Sequence, residues 1–399
     1  MTKDNSNTRT PIIRFQGFNG EWKKKKIGDI AIVLQGYGFP EKYQGQKYGD
    51  LPFCKVGDIS SAVDRGEMVI NKADNFVDYS LLPVLHAQPI PVGSTIFAKI
   101  GEAIRSNKRI KTGVPCLIDN NAAAVKSKGE SSDTFLFYLM SKVNLADYSG
   151  GIVPSVNKST IEAIDVLVPS SWDEQQKIAE CLEAIDQMIS AQNQKVESLK
   201  AHKKGLMQQL FPQPGATTPT LRFPGFTGEW QEKSFDGICH TITPPLKLQS
   251  SQYSSSGKFP IVDQSQTLIC GWTNDPSGLL RNAPYIIFGD HTCVLKYIDF
   301  PFIQGADGVK ILGSNKKDNS KFIYQLLLSN PVKQDGYKRH FSDLKEKVFL
   351  LPPTLEEQTK IAECLSSIDE IISVEESKVA SLKAHKKGLM QQLFPQLQK

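Results

Sequence analysis

Two blocks of the sequence each occur twice, and this repetition limits the possible folds more than any other feature. The shorter block, residues 10–22, returns as residues 218–230 with nine of thirteen positions identical. The longer block, residues 174–213, returns as residues 357–396 with 30 of 40 positions identical. Blocks that recur in the same order indicate a repeated structural unit. The chain is therefore predicted to be a duplication of one two-part unit.

The segments between these blocks, residues 23–170 and 231–353, share little sequence. Both are predicted as mixed α/β domains, because short apolar runs alternate with Gly, Pro and Asn, and a helical pattern follows near the end. A faint similarity remains between residues 95–99 and 285–290. The repeated blocks are therefore predicted to be the scaffold, and the domains between them to have diverged.

Each copy of the long block predicts a long helix. Ser171-x-x-Glu174 and Thr354-x-x-Glu357 are capping-box patterns, and a proline ends each run. Apolar residues follow the 4-3 spacing of a coiled-coil seam. The candidate helix-pairing residues are Ile178, Leu182, Ile185, Ile189, Val196, Leu199, Leu206 and Leu210 in the first copy, and Ile361, Leu365, Ile368, Ile372, Val379, Leu382, Leu389 and Leu393 in the second.

The order of the blocks predicts how the helices pair. If they pack together, the second helix must return toward the first domain, so the pair is antiparallel. The predicted fold class is α+β, with two pseudo-twofold related mixed α/β domains separated by two long helices in an antiparallel coiled coil. Matching polar seam positions places Gln192 opposite Lys386 and Lys203 opposite Glu375. The N-terminal short block is then expected beside the end of the second helix.

Composition and missing motifs exclude several classes of function. There is no run of 18 apolar residues and no apolar core of a signal peptide near the start, so a cytoplasmic protein without membrane contact is expected. The seven cysteines form no C-x-x-C pair, which predicts reduced thiols and no metal site. Neither the Asp/Asn-Pro-Pro-aromatic tetrad of adenine methyltransferases nor a phosphate-binding P-loop is present, so no catalytic residue is assigned.

A net charge of +5 permits binding to nucleic acid without requiring it. Cationic side chains bind phosphates, and forked or amide side chains read base edges, although a charge run is often only a solvated face. Such residues cluster in both domains. The candidate DNA-binding residues are Lys99, Arg105, Asn107, Lys108, Arg109, Asn120 and Asn121 in the first domain, and Gln264, Gln266, Asp290, His291, Thr292, Lys338 and Arg339 in the second.

The motif E-Q-x-K-I-A at Glu174 and at Glu357 follows a Val-Pro or Leu-Pro pair in each copy. With the domain-helix-domain-helix order, it strongly resembles the specificity subunit of type I restriction-modification systems over nearly the whole chain. The resemblance implies a target-recognition domain at 1–170, a central conserved helical region at 171–217, a second target-recognition domain at 218–353 and a C-terminal conserved helical region at 354–399. Each domain is expected to read one half of a split DNA site, and the two halves should differ.

The resemblance also implies partners. Double-stranded DNA, two methyltransferase (modification) subunits and restriction/translocase subunits are expected. No cofactor is expected in this chain, whereas S-adenosylmethionine, ATP and Mg are expected on the partner subunits. The chain itself would be non-catalytic.

Two alternatives remain open from the sequence. The chain could be the specificity subunit of a type IIB restriction system, in which one partner fuses methylation and cleavage. It could also be a coiled-coil scaffold whose domains bind proteins, and such a scaffold would show no salt-dependent DNA binding.

Overall fold

The computed structural model describes residues 9–336 and 338–395. The outermost residues of the predicted regions 1–170 and 354–399, namely 1–8 and 396–399, lie outside the described residues, as does residue 337.

The first variable segment folds into short strands and short helices, as predicted. Its strands are β1 (Lys23–Lys26), β2 (Ala31–Gln35), β3 (Leu51–Cys54), β4 (Val69–Ile70), β5 (Phe76–Val77), β6 (Thr95–Ala98), β7 (Ile110–Thr112), β8 (Leu117–Ile118), β9 (Ala122–Ser127) and β10 (Asp165–Val168). Its α-helices are α1 (Ile27–Ile30), α2 (Val56–Asp64), α3 (Leu82–Leu85), α4 (Asp133–Lys142) and α5 (Lys158–Ala163).

The first long helix, the second variable segment and the second long helix follow in that order. They contain α6 (Trp172–Leu210), β11 (Gln231–Ser234), α7 (Phe235–Ile238), β12 (Cys239–Ile242), β13 (Lys247–Leu248), β14 (Phe259–Val262), β15 (Gly271–Thr273), β16 (Leu279–Leu280), β17 (Tyr285–Gly289), β18 (Leu295–Ile298), β19 (Phe302–Gly305), β20 (Val309–Ser314), α8 (Ser320–Ser329), α9 (Phe341–Lys345), β21 (Val348–Leu351) and α10 (Leu355–Leu393). The predicted mixed α/β domains and long helices are confirmed. Among the described residues, no helix is long and apolar enough to cross a membrane.

The chain divides into two compact units, and each contains part of both long helices. The first unit comprises residues up to 195 and residues from 375 onward, and the second comprises residues 196–374. The first unit holds a sheet in the order β2-β9-β6-β7-β4, a second sheet in the order β5-β3-β8 and the antiparallel pair β1-β10. Its largest core cluster surrounds Trp22, Phe135 and Tyr138 and includes Leu182 of α6 and Phe394 after α10.

The second unit repeats this plan with different side chains. Its sheets have the orders β12-β20-β17-β18 and β13-β19-β14-β15, with β16 added to β19, and β11 pairs with β21. Its largest core cluster surrounds Trp230, Phe235 and Phe322 and includes Leu365 of α10 and Phe211 after α6. In both units, therefore, the start of one long helix and the end of the other pack into the core of a domain.

The predicted capping boxes of the long helices form only in part. The Ser171 hydroxyl accepts the amide of Glu174, and the Thr354 hydroxyl accepts the amide of Glu357, each over 3.3 Å. The two glutamate side chains do not return to the cap, because each forms an ion pair with an arginine of a short block.

The short block recurs in the chain because each copy closes over the start of a long helix. Arg14 donates to both Glu174 carboxylate oxygens, over 2.8 and 2.7 Å, and to the carbonyls of Asn19 and Gly20. Trp22 Nε1 donates to Glu174 as well, over 3.2 Å, and its ring meets that of Phe394 at 5.9 Å between centroids. The predicted contact between the N-terminal block and the end of the second helix is thus confirmed. Arg222 holds Glu357 in the same way in the second unit, over 2.7 and 2.8 Å.

We expect Arg14→Met to lower the free energy of unfolding by roughly 3–5 kcal/mol, because it leaves the Glu174 carboxylate, only 1% exposed, without its cation. Urea unfolding followed by tryptophan fluorescence measures this loss. The control is Lys24→Met, which removes a pair with Asp165 whose side chains are 48% and 43% exposed. That variant should lose less than about 1 kcal/mol, and equal losses in the two variants would contradict the assigned role of Arg14.

The long helices pair antiparallel, but the predicted register is wrong. In the first unit Lys386 Nζ lies 2.6 Å from both oxygens of Asp186, and the Gln192 amide donates to Glu375. Gln192 therefore faces Glu375 rather than Lys386. In the second unit Lys203 Nζ lies 2.7 Å from both oxygens of Asp369. The register predicted from the seam residues alone is wrong because the lysines pair with aspartates that flank the seam.

Glu375 is the most strongly stabilised carboxylate at this pairing. It is 5% exposed, and it accepts from Lys195 Nζ over 2.9 Å and from Lys378 Nζ over 3.0 Å. The hydrogen bonds from Lys195, Lys378 and Gln192 lower the pKa of Glu375 to about 2. Gln192 and Glu375 occupy the same position in the two copies of the long block.

The predicted seam side chains differ in burial. Ile178 and Leu182 belong to the core of the first domain, and Ile361 and Leu365 to that of the second, so helix pairing alone does not describe them. Those at most 8% exposed are Ile178, Leu182, Ile185, Ile189, Val196, Leu210, Ile361, Leu365, Ile372, Val379 and Leu393. The others are partly buried: Leu199, Leu206, Ile368, Leu382 and Leu389.

Candidate nucleic-acid interface

Loops at the carboxyl ends of several strands meet at one edge of the first unit. β3 and β8 run parallel, and the amide of Asp119, after β8, donates to the carbonyl of Cys54 at the end of β3 over 3.1 Å. The loop after β6 joins them, because Lys99 N donates to Asn121 O over 2.8 Å. We define residues 35–39, 55–58, 99–109 and 119–121 as the first strand-end surface. Loops held by a rigid sheet in this way are common sites of binding.

Lys99 is largely buried and supports this surface from within. The residue is 9% exposed, and Nζ donates to Gln35 Oε1 over 3.1 Å. Burial lowers the pKa of Lys99 and raises that of Asp119, and the charge of Asp119 partly offsets the lowering at Lys99. Asn120 and Asn121, next along the edge, are exposed.

Arg105 presents its charge to solvent, whereas the side chain of Lys108 is only 26% exposed. Arg105 Nε lies 2.9 Å from Glu102, and the two side chains are 66% and 76% exposed. Lys108 Nζ lies 2.7 Å from Asp64, whose side chain is 64% exposed. An ion pair as exposed as that of Arg105 contributes about 0–1 kcal/mol, so Arg105 can exchange its partner for a phosphate.

Arg109 is buried, which argues against the predicted DNA contact. It is 7% exposed and lies over the ring of Phe97, 4.8 Å from the centroid. Its guanidinium donates to Lys108 O over 2.9 Å and to Asn107 Oδ1 over 2.7 Å, and burial lowers its pKa to about 9. Asn107 also donates to Ser141 O over 3.3 Å, so both side chains hold the loop against the domain. The sequence identified the charged residues of this loop but not which of their side chains are buried.

We expect Arg105 and Arg109 to give opposite phenotypes. Arg109→Met should reduce the free energy of unfolding by about 1–3 kcal/mol, because the partly buried Asn107 oxygen loses its donor. Arg105→Ala should leave unfolding within about 0.5 kcal/mol and weaken DNA binding by about 1–3 kcal/mol if the side chain reads a base. Urea unfolding and DNA titration with the partner subunits present measure the two effects. If the Arg109→Met variant is stable but binds DNA with a relaxed sequence preference, Arg109 contacts DNA after all.

The second unit forms the corresponding surface around Gln264. β14 and β19 run parallel, so the loops that follow them lie at one edge. Gln264 Oε1 accepts His291 N over 3.2 Å, Gln264 O accepts the Thr292 hydroxyl over 2.8 Å, and Gln264 Nε2 donates to Asp307 O over 3.4 Å. We define residues 263–269, 289–294, 306–308, 334–336 and 338–341 as the second strand-end surface. Gln264, His291 and Thr292 are brought together there.

Asp290 is a buried support and not an exposed base reader. It is 2% exposed, and its Oδ1 accepts Phe341 N at the start of α9 over 2.9 Å. Neighbouring His291 is partly exposed, and its Nδ1 lies 3.1 Å from Lys338 O. Within residues 9–336 and 338–395, no three His, Cys, Asp or Glu side chains are placed to hold a metal ion.

Gln266, Lys338 and Arg339 are the exposed members of the second set. Lys338 Nζ lies 3.5 Å from Asp343 and 3.9 Å from Asp335, and both carboxylates are themselves accessible. These long side chains can therefore reach a phosphate without breaking a buried contact.

Comparison with known families decides the identity. The sequence model of the type I restriction modification DNA specificity domain matches residues 19–201 and again residues 227–384. The two matches contain both variable segments and most of both long helices. The chain belongs to this family.

Similar proteins carry the same description. The type I restriction enzyme MjaVIII specificity subunit of Methanocaldococcus jannaschii is 25% identical over 66% of this chain and 69% of its own. The putative type I restriction enzyme MjaX specificity subunit of the same organism is 25% identical over 94% of this chain and 93% of its own. A crystal structure of a type I restriction-modification S subunit from M. genitalium has the same fold, with a TM-score of 0.64, 14% identity and coverage of 98% of this chain and 100% of that one.

In this specificity subunit the two strand-end surfaces share one main-chain frame. Lys99 N donates to Asn121 O over 2.8 Å, and Lys99 O accepts from Val156 N over 2.9 Å. In the second unit Asp290 N donates to Gly308 O over 2.6 Å, and Asp290 O accepts from His340 N over 2.8 Å. Lys99 and Asp290 are thus structurally equivalent, with opposite charges on one backbone arrangement.

Sequence reasoning missed several residues of the specificity subunit's first surface. Lys55, which donates to Gln44 over 2.6 Å, and Gln35 border Asp119 but carry no local motif. The signal that was available is Gly36. A Cβ at this position would lie 1.7 Å from Asp119 O, so only glycine lets the end of β2 approach this edge. The hairpin at residues 149–155 was also missed.

Proposed function

We propose that this specificity subunit reads an asymmetric bipartite site in double-stranded DNA, one half with each strand-end surface. The proposal rests on one observation. The two surfaces have equivalent main-chain hydrogen bonds but expose different side chains. The first surface exposes Arg105, Asn120 and Asn121, and the second exposes Gln266, Lys338 and Arg339. Amide and guanidinium groups are the side chains that read base edges. Two different sets of them favour two different half-sites.

We further propose that the chain brings two methyltransferase subunits and, with them, restriction/translocase subunits to this site. S-adenosylmethionine, ATP and Mg would be bound by those partners, because the sequence lacks the motifs for methyl transfer and ATP hydrolysis. The relatives are named as specificity subunits of restriction enzymes, which supports this division of roles. The reactions would take place in the cytoplasm.

An exchange of domains tests the proposal. Replacing residues 231–353 with the corresponding segment of another family member should change one half of the methylated site and leave the other unchanged, because both short blocks and both long helices are retained. Methylation mapping of the genome of a host that carries the chain and its neighbouring genes gives the readout. The matched control exchanges residues 23–170 and should change only the opposite half.

The alternatives predict other results. A protein-binding scaffold would give no salt-dependent DNA binding with any partner. A type IIB partner would cleave without ATP-driven translocation. A change in both halves after either exchange would contradict separate reading by the two units.

A further inference from the structure

A short hairpin beside the first strand-end surface carries exposed apolar side chains at its tip. Gly150 and Ser155 exchange two main-chain hydrogen bonds of 3.3 Å, which close the hairpin around residues 151–154. Gly151 has φ +90°, a conformation that glycine adopts without strain. Ile152, next to it, is fully exposed, and Val153 is 61% exposed. The hairpin thus projects a β-branched pair into solvent.

The hairpin is fixed to the frame that positions the proposed DNA-reading loops. Gly101 N donates to Pro154 O over 2.8 Å, and Val156 N donates to Lys99 O over 2.9 Å. Lys99 in turn is bound through its amide to Asn121. The tip is therefore attached directly to the loops that contain Arg105 and Asn121. It is exposed although both of its ends are held by the domain.

The equivalent segment of the second unit has a different chemistry. Residues 331–339 precede His340, which bonds to Asp290 as Val156 bonds to Lys99. That segment contains three cations, Lys333, Lys338 and Arg339, and one carboxylate, Asp335, whereas residues 149–157 contain no charged residue. At one place in the shared frame, the first unit presents apolar side chains and the second presents cations.

We propose that the tip formed by Ile152 and Val153 contacts the 5-methyl group of a thymine in the major groove of the first half-site. The inference rests on the proposed function and adds a specificity-determining contact to it. Apolar side chains recognise thymine by its methyl group, which no other base of unmodified DNA presents in that groove. The exposed Arg105, Asn120 and Asn121 on the adjoining loops suit a polyanion with polar base edges better than an apolar protein surface.

The test uses the complex of the full chain with its partner subunits and a duplex containing the mapped site. Each thymine of the first half-site, on either strand, is replaced in turn by deoxyuridine, which lacks only the methyl group. We expect one replacement to weaken binding about fourfold, the equivalent of about 0.8 kcal/mol for one buried methyl group. Ile152→Ser should bind the normal duplex more weakly and should be insensitive to that replacement, and Val153→Ser should reduce the sensitivity.

Matched controls separate the tip from general effects. Val92→Ser removes an apolar side chain that is 47% exposed and precedes β6, at the opposite end of the strand from the loops. It should keep the full response to deoxyuridine. Replacements in the second half-site should affect wild type and Ile152→Ser equally.

Several results would overturn the contact. They are a first half-site without thymine, a wild-type complex insensitive to every replacement, and an Ile152→Ser complex that responds like wild type. Loss of partner subunits from Ile152→Ser in sedimentation without DNA would instead assign the tip to protein docking. If no variant, wild type included, showed sequence-specific binding, the proposed function itself would fail.

Discussion

A chain truncated after residue 217 will form a homodimer that, with the proposed methyltransferase partner, modifies a palindromic bipartite site. The truncation removes the end of α10, which covers Trp22 with Leu393 and Phe394 in the first unit. The end of α6 carries the identical pair, Leu210 and Phe211, so a second copy can supply the missing cover. An isologous dimer carries the same DNA-binding domain twice, so the two half-sites should have the same sequence.

The polar contacts of the long helices also survive in this dimer. Lys203 is the equivalent of Lys386, so Lys203 of each copy can pair with Asp186 of the other. Gln192 meets its own counterpart, and an amide can both donate and accept. Lys195 loses Glu375, but its side chain is 55% exposed and remains hydrated. Sedimentation gives the oligomeric state, and methylation mapping gives the symmetry of the site.

Lys203→Glu provides the matched control for the dimer. In the full chain it breaks the contact with Asp369 and leaves the contact of Asp186 with Lys386 in place. In the half-chain the substituted carboxylate of each copy faces Asp186 of the other, so two pairs of like charges replace the two ion pairs. In the full chain the substitution disrupts one of the two ion pairs while the helices stay joined in one chain, so the chain should fold with reduced stability. The half-chain loses both ion pairs and should dissociate. A monomeric half-chain without any substitution would show that the two helices are not interchangeable.

A seven-residue insertion after Gln192 alone will disrupt helix pairing, whereas the same insertion after both Gln192 and Glu375 will be tolerated. Asp186 and Lys203 are separated by 17 positions in α6, as are Asp369 and Lys386 in α10. Both ion pairs need these separations to be equal. Both pairs are partly buried, so losing them should cost more than the about 0–1 kcal/mol of an exposed pair. Urea unfolding should therefore detect the single insertion.

The matched insertion should also lengthen the DNA spacer. Seven residues add one heptad, which retains the apolar seam and extends a helix by about 10 Å. That length corresponds to about three base pairs at roughly 3.4 Å each, and methylation mapping would reveal the longer spacer. A matched insertion of five residues turns the seam away and should fail to pair. An unchanged spacer in a folded seven-residue variant would refute the idea that the helices set the spacing.

The scaffold was predictable from the sequence because both of its blocks occur twice. Identical residues in both copies, such as the tryptophan of the short block and the phenylalanine after each long helix, marked places where the same contact is made in both units. The register was not predictable from the seam alone, because Asp186 and Asp369 lie beside it and compete for the lysines. The capping glutamates were similarly assigned to the nearest partner in sequence, whereas they are buried and form ion pairs with Arg14 and Arg222.

The sequence identified polar and charged side chains as candidates, but not which of them are exposed. Gln264, His291 and Thr292 converge because the loops that carry them follow neighbouring strands, which the sequence did not predict. Burial was the missing information. Arg109 and Asp290 have the side chains of DNA readers but are 7% and 2% exposed, since the domain core supplies their partners. The tip at Ile152 was missed for the opposite reason, because a search for polar and charged groups passes over an apolar loop.

The equivalent amide bonds at Lys99 and Asp290 have a consequence for how such proteins evolve. Main-chain groups make these bonds, so they do not depend on which side chain occupies the position, and a lysine in one unit can stand where the other has an aspartate. Mutation and exchange of gene segments can therefore alter the target sequence in steps that keep the fold intact. A bacterial or archaeal lineage can acquire a new pattern of genome marking without having to build a new protein.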